Sequence, residues 1–232
     1  MRRILITGAN RGYGLALVQE TLARGDRVFA TCRRQASAPE LMKLAENPRC
    51  TVLEVDLLDE GQIDDLVRHV SAETDALDLL LNNAGRMGGD DLESLDAQEL
   101  SAKFAVNAIA PLLLSRACVP LLAAGELPCI MMSSSSWGSL WYKTDPTNNA
   151  PDSVFGYCAS KAALNMFSRT LAGTLQPQGI TVLMHHPGGR GDPGGGPADA
   201  GESARATLAL VDAHGIEDTG RFYHWRGHEF PW

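Results

Sequence analysis

The stretch Ile4-Leu5-Ile6-Thr7-Gly8-Ala9-Asn10-Arg11-Gly12-Tyr13-Gly14 runs a short apolar strand into a glycine turn, and a helical pattern follows from about Gly12 to Arg24. Glycine tolerates positive φ and lets the backbone approach phosphate oxygens, while the N-terminus of the following helix points its partial positive charge at them. This predicts a dinucleotide pyrophosphate site with Gly8, Asn10, Arg11, Gly12, Tyr13 and Gly14 around it. The spacing Gly8, Gly12, Gly14 departs from GxGxxG, and taken alone such a trio also describes a turn that merely joins a strand to a helix.

Outward from this turn, strand-like runs occupy residues 3–7, 27–32, 50–55, 77–82, 127–133 and 180–186, with helix-patterned segments between them. Nearly continuous apolar strands alternating with helices imply a parallel sheet covered on both faces. The predicted class is therefore α/β, a doubly wound Rossmann-type three-layer sandwich in one domain over residues 1–232. Ligands of such sheets lie beyond the strand carboxyl ends, where Gly8, Asn83, Ser133 to Ser136 and Pro187 all fall. Residues 141–153 and 187–201 lack periodicity and read as loops flanking that crevice, either covering a substrate or passive.

Composition narrows the functional classes. The 232-residue chain is 44% hydrophobic with a formal net charge of -8, which disfavours a nucleic-acid partner. Cys32, Cys50, Cys118, Cys129 and Cys158 form no CxxC pair, and several sit in apolar runs, as thiols do in a reducing cytoplasm. Only Ile4-Leu5-Ile6 follows the basic Met1-Arg2-Arg3 before glycine arrives, so no export signal is expected, and no apolar run near bilayer-spanning length is evident. A soluble protein without a membrane partner is predicted. His224 and His228 have HxxxH spacing, but Gly227 and the alternating aromatics suggest strand and loop, so no metal site is expected. His185 and His186 end a strand and read as packing residues.

Tyr157-Cys158-Ala159-Ser160-Lys161 opens a second helix pattern running through Leu164, Phe167, Leu171 and Leu175. Residues four apart share a helix face, so Lys161 would lie over Tyr157 and favour its phenolate, lowering a pKa that starts near 10. Upstream, Cys129-Ile130-Met131-Met132 ends in Ser133-Ser134-Ser135-Ser136-Trp137-Gly138, where a hydroxyl at the strand end is placed to polarise a carbonyl, unless this is only a serine-rich turn.

With these motifs in order, the chain resembles the short-chain dehydrogenase/reductase family over nearly its whole length. TGxxxGxG falls on Thr7, Gly8, Gly12 and Gly14, the aspartate after the third strand on Asp56, NNAG on Asn82-Asn83-Ala84-Gly85, and YxxxK on Tyr157 and Lys161. The family's helix asparagine matches Asn107, and its serine falls on Ser135 by way of Gly138, with Ser134 and Ser136 as alternates. The ending from Asp218 to Trp232 is similar to that of the C-factor and sniffer-type carbonyl reductase subgroup.

The resemblance implies that Tyr157 gives a proton to a carbonyl oxygen as hydride is transferred, Ser135 holds that oxygen, Lys161 binds the nicotinamide ribose, and Asn107 anchors a water. It also implies cofactor contacts at Asp56, Leu57, Asn83, Ala84, Gly85, Pro187 and Gly188. The second strand ends at Cys32 without a carboxylate, whereas Arg11 and Arg33 suit a 2'-phosphate, so NADP(H) is the expected cofactor. Asp56 would meet the adenine or cap the segment entering Asp59 and Glu60. One departure stands out: Gly189-Arg190-Gly191-Asp192-Pro193 lacks the threonine that family members carry after Pro-Gly.

The expected function is an NADPH-dependent carbonyl reductase acting on a small-molecule ketone, aldehyde or alcohol, as a homodimer or homotetramer. The alternatives are a dinucleotide-reading regulatory or developmental module with little turnover, and a lyase or epimerase on the same residues.

Overall fold

The computed structural model describes residues 1–144, 154–189, 196–197 and 199–232. Its sheet has seven parallel strands: β1 (Arg3–Ile6), β2 (Arg27–Cys32), β3 (Cys50–Glu54), β4 (Leu79–Asn82), β5 (Cys129–Ser133), β6 (Thr181–His186) and β7 (Phe222–His224). Their spatial order is β3-β2-β1-β4-β5-β6-β7, so the chain reverses direction across the sheet between β1 and β4. At that switch point two neighbouring strands send their connections to opposite faces, and a crevice opens beyond their carboxyl ends.

The helices are α1 (Gly12–Ala23), α2 (Pro39–Leu44), α3 (Glu60–Glu73), α4 (Ala97–Phe104), α5 (Ala110–Ala123), α6 (Leu140–Lys143), α7 (Phe155–Leu175) and α8 (Ala200–Ala213). Side-chain alternation along each strand divides the core in two. Leu5, Leu80, Ile130 and Val182 pack with Ile63, Leu114, Leu122 and Leu164 from α3, α5 and α7. On the opposite face Ile4, Ile6, Leu79, Leu81 and Met131 pack with Leu17, Val18, Leu41, Ala204 and Leu208 from α1, α2 and α8. Each such fully buried aliphatic side chain contributes roughly 1.5–3 kcal/mol, and both layers are needed to cover the sheet. The doubly wound architecture expected from the sequence is the one observed.

Local signals explain several boundaries. The Asp59 carboxylate caps α3 by accepting from the Gly61 and Gln62 N–H groups, and Asp199 caps α8 by accepting from Glu202. Between α4 and α5 the backbone makes a π turn, Ala105–Ile109. Pro111 has no N–H to offer the carbonyl four residues earlier, at Asn107, so the regular ladder cannot run through this point.

Two expectations need correction. The continuous helical stretch Ala97–Ala123 has 27 residues and is long and apolar enough to cross a membrane, a run the sequence reading did not find. Leu114, Cys118, Leu121 and Leu122 nonetheless pack into the layer beneath β4 and β5, which accounts for its apolar composition. The segment read as loop from residue 141 begins inside α6, where the Ser139 hydroxyl accepts from the Tyr142 N–H as an N-cap. The remainder, 145–153, lies outside the described residues, as do 190–195 and 198 of the other expected loop.

At the opposite end of the central strands, Asp78 is buried and ties three segments together. Its carboxylate accepts from Arg3 N, Nε and Nη2 at 2.7, 2.9 and 2.6 Å, and from Glu126 N at 2.8 Å. Burial works against the charged form, but the Arg3 and Glu126 hydrogen bonds outweigh it and hold the pKa below the ordinary 3.8. A depressed folded-state pKa gives stability that is full above the unfolded value and lost as pH falls through the folded one. Asp78→Ala should therefore cost about 2 kcal/mol in urea unfolding at neutral pH. The difference from wild type should shrink as the pH drops below about 4.

Candidate active site

The glycine turn and the end of β4 are built as one unit. Thr7 Oγ1 accepts from the backbone N–H groups of Asn83 and Ala84, each at 3.0 Å. Asn83 Nδ2 returns two bonds, to the Thr7 and Gly8 carbonyls at 2.8 and 3.2 Å. Space here admits no side chain: a Cβ on Gly8, where φ is +64°, would lie 2.8 Å from Ala84 Cα, and one on Gly14 would lie 2.2 Å from the Gly8 carbonyl oxygen. The result is a bare backbone cradle at the N-terminus of α1, whose first turn holds no acidic residue to offset its positive end. Ala9 N–H donates to the Thr31 carbonyl at 2.9 Å, setting the turn against the end of β2. Arg11 and Arg33 are both exposed there, Arg11 immediately before α1 and Arg33 immediately after β2.

Asp56 follows β3 on the same edge. Its carboxylate accepts from Leu58 N–H at 3.0 Å and its own N–H donates to Gln62 Oε1, while Asp59 caps the helix. Asp56 thus caps the turn that enters Asp59 and Glu60, while Asp59 is the N-cap of α3 itself. Leu57 is partly buried beside Asp56.

Beyond β5, Ser135 adopts an extended conformation and its hydroxyl accepts from Trp137 N–H at 3.2 Å. Among the neighbouring serines, Ser134 donates to Asn165 Oδ1 and Ser133 offers its carbonyl to Lys161 Nζ at 2.7 Å. Of the four serines, Ser135 is the one whose side chain acts on the Tyr157 phenol, favouring its ionised form against burial. Gly138 lets this turn lie on α7, because a Cβ there would sit 2.8 Å from the Lys161 Cβ. Trp137 packs edge-on against Tyr157 with ring centroids 6.0 Å apart.

Asn107, in the π turn, donates from Nδ2 to the Arg86 carbonyl at 2.8 Å and to Ser160 Oγ at 2.9 Å, and accepts from Arg86 N–H at 2.7 Å. It thereby joins the segment after Gly85 to α7, one residue before Lys161. The four side chains Asn107, Ser135, Tyr157 and Lys161 share one corner of the crevice.

Electrostatics there differ from expectation in one respect. Burial raises the Tyr157 pKa above its usual 10, with the Ser135 hydrogen bond opposing it. Burial likewise pushes Lys161 down to about 8. Its ammonium lies 5.8 Å from the Tyr157 ring centroid and is held by the Ser133 carbonyl, so the predicted lowering of the phenol is not seen in this arrangement. Sequence spacing put Lys161 on the right helix face but carried no information about the competing carbonyl.

Tyr13 has a role the glycine motif does not foretell. Its hydroxyl turns inward to His185 Nε2 at 2.8 Å and Thr207 Oγ1 at 2.6 Å. Its ring lines a cavity of about 460 Å³ with Pro187, Gly188, Gly189 and Ser203. His185 is fully buried and pushed to about 3, first by burial and then by His186, so it stays neutral and packs as expected. Pro187 and Gly188 begin the segment beyond β6, and Gly188 at φ +84° leaves room for the Trp225 ring. Residues Arg190 to Pro193, where the threonine is missing, lie outside the described residues.

Trp141 N–H donates to the Trp232 carbonyl at 2.7 Å, tying the first turn of α6 to Trp232. His224 and His228 stack at 4.6 Å, and among the described residues no group of three or more His, Cys, Asp or Glu side chains is placed to hold a metal ion.

Sequence reasoning passed over Asp90 and Lys103. Lys103 Nζ lies 2.7 Å from Asp90 Oδ1, both side chains are buried, and Asp90 Oδ2 accepts from Gly156 N–H at 2.6 Å. The available signal was a lysine one helical turn before Asn107, on the inward face of an amphipathic helix.

A sequence profile described as short chain dehydrogenase matches residues 2–191. C-signal of Myxococcus xanthus is 35% identical over 163 residues, covering 68% of this chain and 95% of that protein. The carbonyl reductase Sniffer of D. melanogaster superimposes with a TM-score of 0.89 at 32% identity, covering all of both chains. An NADPH-bound carbonyl reductase from chicken fatty liver gives 0.87 at 31% identity, covering 100% of this chain and 99% of the other. The chain belongs to the short chain dehydrogenase family, and its resemblance to sniffer-type carbonyl reductases holds in sequence and in fold.

The two glycines separate steric from conformational cost. Gly14→Ala should destabilise the protein by at least about 2 kcal/mol, because the cradle has no room. Gly12→Ala, with φ +53° and open space around it, should cost only about 1 kcal/mol. Urea unfolding of the two variants checks this ordering.

Proposed function

We propose that this protein is an NADPH-dependent oxidoreductase that reduces a ketone or aldehyde to an alcohol, with Tyr157 as the proton donor. The observation that carries the proposal is the convergence of Tyr157 and Lys161 on α7 with the Ser135 turn after β5, which Gly138 lets lie directly on α7, next to the side-chain-free cradle of Gly8 and Gly14. The cradle fits a pyrophosphate because a Cβ would fill it. Gly12, Tyr13 and the α1 N-terminus would hold the phosphates, Arg11 and Arg33 the 2'-phosphate, Asp56 and Leu57 the adenine, and Asn83 to Gly85 with Pro187 and Gly188 the remainder. The bound dinucleotide supplies hydride chemistry.

Ser135 donates a hydrogen bond to the substrate oxygen and polarises the carbonyl. Tyr157 then delivers its proton to that oxygen as negative charge develops there. Lys161, buried and already near neutral pH in its titration, binds the ribose hydroxyls and favours loss of the Tyr157 proton once both are engaged. Asn107 anchors a water that resupplies the proton. Trp137, packed edge-on against Tyr157, with the exposed Trp141 and Phe155 would favour an apolar or aromatic carbonyl compound.

We also place the protein in the reducing cytoplasm, in keeping with five free cysteines, four of them buried. Exposed Ile109, Met166 and Phe167 on the outer helix layer support association into a homodimer or homotetramer, which light scattering in solution would measure.

Fluorescence titration with NADPH and NADH, together with NADPH oxidation in the presence of an aromatic 1,2-dione, tests the proposal. Tyr157→Phe should lower kcat by roughly a thousandfold while NADPH affinity stays within about twofold of wild type. Arg33→Ala should weaken NADPH by roughly tenfold and leave NADH nearly unaffected. Full turnover in the phenylalanine variant would remove Tyr157 as the donor, and an equal loss of both cofactors would remove the 2'-phosphate assignment.

A further inference from the structure

Helix α7 carries Tyr157 on its first turn, yet its N-cap residue Val154 makes no side-chain cap. The cap comes from 66 residues away: Asp90 Oδ2 accepts from Gly156 N–H at 2.6 Å. Asp90 is held in turn by Lys103 of α4, whose Nζ donates to Asp90 Oδ1 at 2.7 Å and to the Gly88 carbonyl at 3.2 Å. Lys103 and Asp90 are only 1% and 7% exposed, so this ion pair is screened little by solvent. Burial opposes the Asp90 carboxylate, but Lys103 and the Gly156 N–H outweigh it and keep the pKa below its usual value.

One turn further along, Asn107 repeats the arrangement. It binds both the N–H and the carbonyl of Arg86 and donates to Ser160 Oγ on α7. Two inward-facing side chains of one helical run, four residues apart, therefore grip the 86–90 segment and α7 at two points, also four residues apart. The gripped residues Gly156 and Ser160 immediately precede Tyr157 and Lys161. Gly156 leaves room for this approach, since a Cβ there would lie 2.9 Å from Lys103 Cδ and 3.1 Å from Asp90 Oδ2.

We infer that the buried Lys103–Asp90 pair is a positioning device that sets the rotation and height of α7, and through it the place of the Tyr157 hydroxyl against Ser135. The inference rests on Tyr157 being the proton donor only for its kinetic consequence. Its structural content stands on the contacts alone. An ion pair suits this task better than an apolar contact because its geometry is directional at both ends, toward the Gly88 carbonyl and toward the Gly156 N–H.

The test uses the double variant Lys103→Met with Asp90→Asn, which leaves no unpaired buried charge and keeps an amide oxygen for the Gly156 N–H. Lys103→Met alone serves as a comparison, since the stranded carboxylate should lower its melting temperature well below that of the double variant. Tyrosines labelled with carbon-13 at Cζ report the phenol titration by NMR, with Tyr157→Phe assigning the signal. In the double variant the Tyr157 midpoint should move by at least about half a pH unit while that of Tyr223 holds. With an aromatic 1,2-dione and NADPH, kcat should fall roughly ten- to a hundredfold, with NADPH affinity unchanged. An unmoved Tyr157 midpoint in a folded double variant overturns the inference. If wild type turns over no carbonyl compound, the proposed function fails instead, and the Tyr157 titration still decides the positioning role.

Discussion

The hydroxyl of Thr7 receives two backbone N–H groups from the neighbouring strand's exit, and the architecture of the crevice depends on that junction. β1 and β4 stay paired up to the Thr7 N–H bond to the Leu81 carbonyl at 3.0 Å, but beyond it their connections leave for opposite faces and the ladder no longer ties the two exits together. Thr7 with Asn83 supplies the missing connection. The glycine turn can then remain free of side chains without losing its shape, because it is braced from β4 by hydrogen bonds instead of by its own packing. Gly14 has to be glycine for the same reason, since the brace occupies the space a Cβ would need.

The chemistry is assembled on α7, a helix that brings little stabilisation of its own start. Tyr157 and Lys161 are positioned from outside, by the serine turn after β5, by Asn107 and by the Asp90–Lys103 pair. Burial on all sides pushes both groups toward their neutral forms, the phenol upward and the amine downward. At neutral pH the phenol is neutral while the Lys161 amine, with a pKa of about 8, keeps most of its charge. The balance of the pair is sensitive to whatever hydrogen-bonding partners enter. The Tyr13, His185 and Thr207 cluster is a further polar group beneath the same floor, neutral and directional, joining the glycine turn to α8.

Much of this was legible in the residues. Apolar runs at the right intervals placed six of the seven strands to within one or two residues, because a strand buried on both faces must be apolar throughout, while three-residue β7 was too short to stand out as a run. Glycines with positive φ and the Tyr157, Lys161 spacing marked the crevice, since each reflects a local geometric demand. Other features were hidden for physical reasons. Ala97–Ala123 escaped notice as an apolar stretch because Lys103 and Arg116 interrupt it, one buried against Asp90 and the other at the surface. The turn after β5 also separates neighbouring serines in a way sequence cannot show: Ser134 Oγ donates to Asn165, Ser135 Oγ accepts from Trp137 N–H, and Ser133 gives its carbonyl to Lys161.

The sequence by itself determined the class of fold, the glycine cradle and the helix face shared by Tyr157 and Lys161, because these follow from periodicity, backbone sterics and spacing within one turn of helix. Only the tertiary structure decided that Ser134 donates to Asn165, that Lys161 rests on the Ser133 carbonyl, and that Asp90 caps a helix 66 residues away. Those depend on contacts between segments distant in the chain, where a hydrogen bond is made by whichever group the packing brings within reach.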